Sequence, residues 1–228
     1  KKLLGSINIS GSKNATLPIL AAALLTNKVL ILKNIPLVQD IHTMINLLKF
    51  IGLNIEISKK LNTLKISNNK ELKTIAPYSL LKTMRAGVLV LGPLLARYKK
   101  AKVSLPGGCA IGARPVNLHL FALEKLGAKI KIKNGYIHAS ARNGLKGNFI
   151  KFPSISVGAT ENAILAAVCA KGKTIISNCA IEPEIQDMIF FLKKIGSNIN
   201  FIGKRKILII GTNEFKTANH EIIFDRIE

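Results

Sequence analysis

Tryptophan is absent from these 228 residues, aromatic side chains make up only 5%, and acidic residues number 12. Cysteine is scarce too. Cys109, Cys169 and Cys179 form an odd count with no C-x-x-C pair, which excludes a disulfide framework or a zinc cluster and fits a reducing, cytoplasmic compartment. The histidines His42, His119, His138 and His220 lack metal-ligand spacing, so no metal and no cofactor are expected. No apolar run approaches the roughly 18 residues of a spanning helix, because Lys, Asn or Gly interrupts each one. A leader with a charged start and a cleavage site is also missing, and no membrane partner is expected.

What is plentiful is positive charge. There are 34 Lys and Arg against 12 Asp and Glu, a formal charge of +22. Face value would indicate nucleic acid or an anionic surface. The residues behind the charge argue otherwise: 28 are Lys and only 6 Arg, beside 33 Ile and 19 Asn, and Ile, Lys and Asn all have A/T-rich codons. Drift in genome composition would load any protein in this way. The lysines are scattered, never more than two in a row, and lack the Arg–aromatic clustering of many nucleic-acid binders. No nucleic-acid partner is therefore expected. The apolar fraction of 48% excludes disorder, and a chain of this length buries roughly 70% of its unfolded surface without a staple.

One pattern recurs three times. Leu48-Lys49-Phe50-Ile51-Gly52-Leu53-Asn54-Ile55, Leu123-Glu124-Lys125-Leu126-Gly127-Ala128-Lys129-Ile130 and Leu192-Lys193-Lys194-Ile195-Gly196-Ser197-Asn198-Ile199 each read as a helix end, a Gly C-cap and a strand. Before each glycine the order is helix, short strand, turn, second helix. The first helices are expected near 15–25, 79–96 and 159–170, and the second near 40–51, 115–126 and 184–195. Each unit closes on two strands, such as 129–132 and 136–140 joined by Asn134-Gly135. The reading is an α/β domain of three βαβαββ repeats of about 70 residues, near 11–68, 70–143 and 147–212. Their helices should share one core faced by sheets.

Three helix starts follow the dipole preference for acids, through Asp40, Glu161 and the pair Glu182/Glu184. Three reverse it: Lys13 in Gly11-Ser12-Lys13-Asn14, Lys82 with Arg85 after Ser79, and Arg114 before Pro115. A bound anion would make these cations favourable, giving a candidate phosphate or carboxylate site. Lys13 and Lys82 are, on the plainer reading, two solvated lysines among 28. Between a strand and a helix lies Pro106-Gly107-Gly108-Cys109-Ala110-Ile111-Gly112-Ala113-Arg114, whose glycines suit a closing lid. Arg114 and a helix start nearby would lower the pKa of Cys109. A tight turn with an inert thiol explains the same residues equally well. Cys169 is expected in the core of an apolar helix, and Cys179 is given no role.

Gly11-Ser12-Lys13-Asn14-Ala15, Leu81-Lys82-Thr83-Met84-Arg85, Leu105-Pro106-Gly107-Gly108-Cys109, Ile111-Gly112-Ala113-Arg114-Pro115, Ser156-Val157-Gly158-Ala159-Thr160 and Asp225-Arg226-Ile227-Glu228 follow one another along the chain. In these motifs the sequence resembles the UDP-N-acetylglucosamine 1-carboxyvinyltransferases of bacterial peptidoglycan synthesis. The Cys-bearing loop distinguishes that family from the related 5-enolpyruvylshikimate-3-phosphate synthases. The resemblance implies an inside-out α/β barrel domain and transfer of enolpyruvyl from phosphoenolpyruvate to the 3-hydroxyl of UDP-N-acetylglucosamine, with release of phosphate. It implies that Lys13 and Asn14 contact phosphoenolpyruvate, that Arg114 completes the clamp, and that Cys109 donates a proton to the methylene carbon and forms a covalent adduct. Arg85 would serve the anionic end of the substrates. Arg114, Pro115, Val116, Asn117 and Leu118, with Ser154, Ile155, Ser156, Val157 and Gly158, would cradle the uridine nucleotide.

Asn117 and Ser154 depart from the family, where many members carry Asp and some carry Lys at these positions. Family members also have a second domain of the same fold, supplying a base and further arginines, to which a strand near residues 1–10 would belong. The chain is accordingly read as the first part of such an enzyme. An inactive folded remnant and a basic nucleic-acid-binding module are the alternatives.

Overall fold

In the computed structural model, residues 5–7, 9–68, 71–107 and 116–227 are described. The first unit opens with α1 (Lys13–Ala22), extended by a 3-10 turn at Ala23–Leu25, then β1 (Leu30–Lys33), α2 (Gln39–Ile51), β2 (Asn54–Ser58) and β3 (Thr63–Ser67). The second runs β4 (Ile75–Ala76), α3 (Tyr78–Leu81), a 3-10 helix at Arg85–Val90, α4 (Leu91–Tyr98), β5 (Lys100–Ser104), α5 (Asn117–Lys125), β6 (Lys129–Lys133) and β7 (Tyr136–Ser140). The third is β8 (Phe149–Lys151), α6 (Val157–Ala167), β9 (Lys173–Ser177), α7 (Pro183–Lys194), β10 (Asn198–Gly203) and β11 (Lys206–Ile210). A final strand, β12 (Ala218–Glu221), follows.

Each unit builds one four-stranded sheet on a common plan. The orders are β12-β1-β3-β2, β4-β5-β7-β6 and β8-β9-β11-β10. In each the first pair is parallel and the others antiparallel. The first unit has no leading strand of its own among the described residues. β12, from the far end of the chain, takes that place beside β1 and closes the three units into a ring.

The sequence explains the layers. α1 and α6 are buried on all sides over Ala15–Ala22 and Ala159–Ala167, as suits central helices. α2 and α7 are amphipathic and cover them, with Met44, Leu48, Met188 and Leu192 inward. Small residues set the spacing: a Cβ on Gly92 of α4 would clash with the backbone and side chain of Asn162 on α6. The expected C-caps hold, since Gly52, Gly127 and Gly196 have φ of 129°, 94° and 106°. Asn134 and Gly135, both at positive φ, make the two-residue hairpin turn between β6 and β7.

Two helix expectations need correction. No continuous helix spans 79–96; α3 ends at Leu81, and the chain resumes as a 3-10 helix before α4. Gly87, pressed against Leu81, and the Gly92-Pro93 pair account for the break. The second correction concerns α5, which begins at Asn117 with Val116 as N-cap, two residues later than the expected start.

Candidate functional site

Ser12 caps α1, its hydroxyl accepting from the Ala15 N–H at 3.3 Å, while Thr16 Oγ1 donates to the Ser12 carbonyl at 2.7 Å. Lys13 and Asn14 therefore occupy the first turn, whose N–H groups lack intrahelical acceptors. Pro18 is the sixth helical residue and has no N–H to give the Asn14 carbonyl four residues back. Gly11 is required here because any side chain would run into the Asn34 carbonyl. The cleft in front of this turn has a volume of about 540 Å³ and is lined by Lys13, Asn14, Asp40, Asp225 and Ile227 among others.

Lys13 Nζ lies 3.1 Å from Asp40 Oδ2, with the two side chains 42% and 37% exposed. Asp40 is thus the ion-pair partner of Lys13; α2 starts at Gln39 with Val38 as its N-cap and no side-chain cap. The cation at the start of α1 is compensated by a carboxylate of the neighbouring helix. The residues that follow β12 brace this corner. Ser12 N–H donates to the Ile223 carbonyl at 2.8 Å and Asp225 N–H to the Ser10 carbonyl at 2.9 Å.

A second start repeats the first. Ser156 caps α6 by accepting from Ala159 N–H at 3.3 Å, and Thr160 Oγ1 donates to the Ser156 carbonyl at 2.7 Å. The shared pattern is Ser-x-x-Ala-Thr at 12–16 and 156–160. Ser154, Ile155 and Val157 are exposed beside this start. Gly158 faces the ring of His119 on α5, so the first turns of α5 and α6 lie close to one another. Asn117 is exposed at the first position of α5, with Val116 and Leu118 half-buried on either side.

Between them sits a polar knot that the sequence did not single out. Asn162 Oδ1 accepts from Gly92 N–H at 2.8 Å, and Asn162 Nδ2 donates to the Val88 carbonyl at 3.1 Å. The same amide lies 3.1 Å from His119 Nδ1. Burial lowers the His119 pKa to about 4, so the ring is neutral, with Nδ1 accepting and the proton on Nε2. Asn162 thereby fixes the segment that begins at Arg85. Arg85 opens that 3-10 helix rather than an α-helix, and exposed Lys82 lies in the turn before it. Neither cation stands at the N-terminus of a long helix.

Glu161 also departs from expectation. Burial first, then Glu184 and Glu182, raise its pKa to about 8, so near neutral pH it is mostly protonated and adds little charge to the start of α6. The other acids at α7 are engaged. Glu184 Oε1 meets Arg226 Nε at 3.0 Å, and Glu182 Oε2 accepts from Ile181 N–H at 2.8 Å.

Cys109, Arg114 and Pro115 lie outside the described residues. The preceding Gly107 packs against the Lys82 backbone so closely that a Cβ would clash, and Val116 caps α5 on the far side. Cys169 is not a core residue of α6; it follows the helix end and is half-buried. Burial pushes its thiol up to about 12, and also raises that of the buried Cys179. Both are poor nucleophiles. Among the described residues no group of three His, Cys, Asp or Glu is placed to hold a metal, and no helix is long and apolar enough to cross a membrane.

Three four-stranded sheets around buried helices define an enolpyruvyl-transferase fold. It superposes on the enolpyruvyl transferase NikO from Streptomyces tendae with a TM-score of 0.86 at 18% identity, over 98% of this chain and 52% of that one. The EPSP synthase from Acinetobacter baumannii gives 0.78 at 17%, over 96% and 49%. The sequence matches, over residues 1–228, the family described as EPSP synthase (3-phosphoshikimate 1-carboxyvinyltransferase), and the chain belongs to that family. It is 62% identical over 227 residues to a UDP-N-acetylglucosamine 1-carboxyvinyltransferase of Pelagibacter ubique, covering all of this chain and 54% of that protein. The chain thus spans about half the length of the curated relatives it matches.

Proposed function

We propose that these 228 residues form one half of an enzyme that moves the enolpyruvyl group of phosphoenolpyruvate to the 3-hydroxyl of UDP-N-acetylglucosamine in the cytoplasm, releasing phosphate. The observation that carries this reading is the high identity, along the whole chain, to relatives bearing that name. The corner at α1 supports it. Lys13 and Asn14 present a cation, an amide and unpaired N–H groups to a cleft large enough for a three-carbon phosphate ester.

In this reading phosphoenolpyruvate sits against Lys13 and Asn14, and its phosphate draws Lys13 from Asp40. Arg114 completes the clamp, and Arg85, held by the Asn162 knot, faces the anionic end of the substrates. Asn117 and Leu118, with Ser154–Gly158, receive the nucleotide where α5 and α6 meet. Cys109 supplies the proton that the methylene carbon gains as the sugar oxygen adds to the enol carbon. Closure of the glycine-rich loop excludes water while phosphate charge develops. The base for the sugar hydroxyl and a partner for the first residues of the chain come from a second domain, so this half alone turns over negligibly.

The test is phosphate release from phosphoenolpyruvate with UDP-N-acetylglucosamine, or with shikimate 3-phosphate, as acceptor. In a protein extended to the relatives' full length, only the nucleotide sugar should support turnover. Lys13→Ala should lower kcat/KM at least ~100-fold, as removing a preorganised charge at a transferring phosphate does. The 228-residue chain alone should show no release above background. Turnover with shikimate 3-phosphate, or full activity of the half, would overturn the proposal.

A further inference from the structure

A cleft of about 850 Å³ is remote in sequence from the α1 corner and carries none of the candidate substrate-binding residues discussed above. Its described lining includes Lys100, Lys102, Lys129, Lys131, Arg142 and Lys146 and no acidic residue. Register explains the concentration. Lys100 and Lys129 are both paired with Ser140, and Lys102 and Lys131 are both paired with His138. Directly opposed residues share a face of an antiparallel sheet, so all four lysines project from the outer side of β5–β7–β6.

Compositional drift does not account for this arrangement, because the three sheets are internal controls for one another. On the first sheet Lys65 pairs with Glu56 at 3.8 Å, and Lys33 lies opposite Glu221. On the third, Phe149, Ile175 and Leu208 form the middle row of the outer face, separating Lys173 from Lys151 and Lys206. Protection of an exposed edge is no better an explanation. β2 and β10, the equivalent edges, carry no lysine, whereas Lys100 and Lys102 lie on the interior strand β5. Lysines gathered on one face with no acidic neighbour repel one another, and an anion lying between them offsets that cost.

We propose that this groove binds the phosphodiester backbone of single-stranded nucleic acid. Its two lysine rows are two strands apart, about 10 Å. That spacing admits one strand and is narrower than a duplex. A cleft with cations on both walls also suits a chain better than a planar bilayer. The floor carries His138, whose ring centroid lies 6.5 Å from that of Tyr136 two residues back on β7, and Lys102 Nζ lies 4.7 Å from the Tyr136 ring centroid. Exposed His138 offers a ring face to a base. The overall composition predicts no such partner; the local pairing of strands does.

Fluorescence anisotropy of this chain with a labelled mixed-sequence RNA 20-mer, across a sodium chloride series, tests the proposal. Binding should weaken with a log–log salt slope of roughly −3 to −4, at about 0.7 per contacted phosphate. Lys102→Gln with Lys131→Gln should bind at least tenfold more weakly, with the slope shallower by about 1.4. Lys129→Gln with Arg142→Gln should do the same, which guards against a folding defect in half-buried Lys102. The charge-matched control, Lys151→Gln with Lys206→Gln on the third sheet, should change affinity less than twofold. Equal losses from groove and control pairs would overturn the proposal by reducing the effect to net charge. So would no binding at low salt, or tighter binding to phosphatidylglycerol vesicles that the RNA fails to displace.

Discussion

Glu161 is a carboxyl in the wrong charge state for a helix start, and its surroundings explain why. It is buried in α6 with Glu184 and Glu182 near enough to repel its anion, and its pKa rises from 4.5 to about 8. The folded state therefore binds a proton more tightly than the unfolded chain. Stability from this group is fully present below about 4.5, falls as pH rises toward 8, and levels off above it. Glu161→Gln keeps the shape and removes the titration. Its stability relative to the parent should be nearly unchanged at pH 4 and higher by several kcal/mol, at most about 5, at pH 9, because each tenfold difference in proton affinity between folded and unfolded chain is worth about 1.4 kcal/mol. Urea denaturation at the two pH values measures the gap, and a gap that does not change with pH would refute the assignment. Residue types at this scale were legible where chemistry is local, as at the glycine C-caps. Charge state was not, because what decides it for Glu161 is its burial and the Glu184 of a helix more than 20 residues away. The same holds for Lys13, whose partner Asp40 reads in one dimension as a helix cap.

At the scale of elements, the three-unit pattern in the sequence came from glycine-ended helices, and the sheets follow it closely. What stayed hidden is the joint between elements. Asn162 lies mid-helix, where a sequence offers no reason to notice it. Its side chain satisfies Gly92 N–H, the Val88 carbonyl and His119 Nδ1 at once, tying α4, α5, α6 and the Arg85–Val90 turn into one body. Asn162→Ala would strand all three groups in a buried site. The expected loss is about 2–4 kcal/mol, from one unsatisfied buried donor and two weakened acceptors. Thermal melts of the variant should show it, and a cost below ~1 kcal/mol would mean that water takes over the bonds. The repeated Ser-x-x-Ala-Thr was a usable signal for both helix starts. It marks each by the same pair of hydrogen bonds, yet only its second copy resembles a nucleotide contact.

The three units form a ring that β12 closes by pairing with β1. β12 supplies the parallel edge of the first sheet, and the residues after it reach both the start of α1 and helix α7. Buried His220 Nε2 lies 3.1 Å from Asp187 Oδ1, off hydrogen-bond alignment, with the Phe191 ring 5.4 Å away. Asp187 Oδ2 accepts from Ile223 N–H at 3.3 Å, and Arg226 reaches the nearly buried Glu184. No local pattern announces this, since the pairing of β12 with β1 joins residues nearly 190 apart and is selected only when all three units are assembled. A chain ending at Thr217 would expose one edge of β1 and leave Ser12 N–H, Asn34 Nδ2 and Asp187 without these partners. The loss should exceed ~3 kcal/mol, since an edge strand and several buried polar contacts go together. The damage should also be directional. Hydrogen exchange at Ser12–Thr16 should accelerate far more than at Ser156–Thr160, because α6 keeps β8 and β9 while α1 loses its brace. Equal protection at the two helix starts would show that the ring is not closed by β12, and that the Lys13 corner is built by the first unit alone.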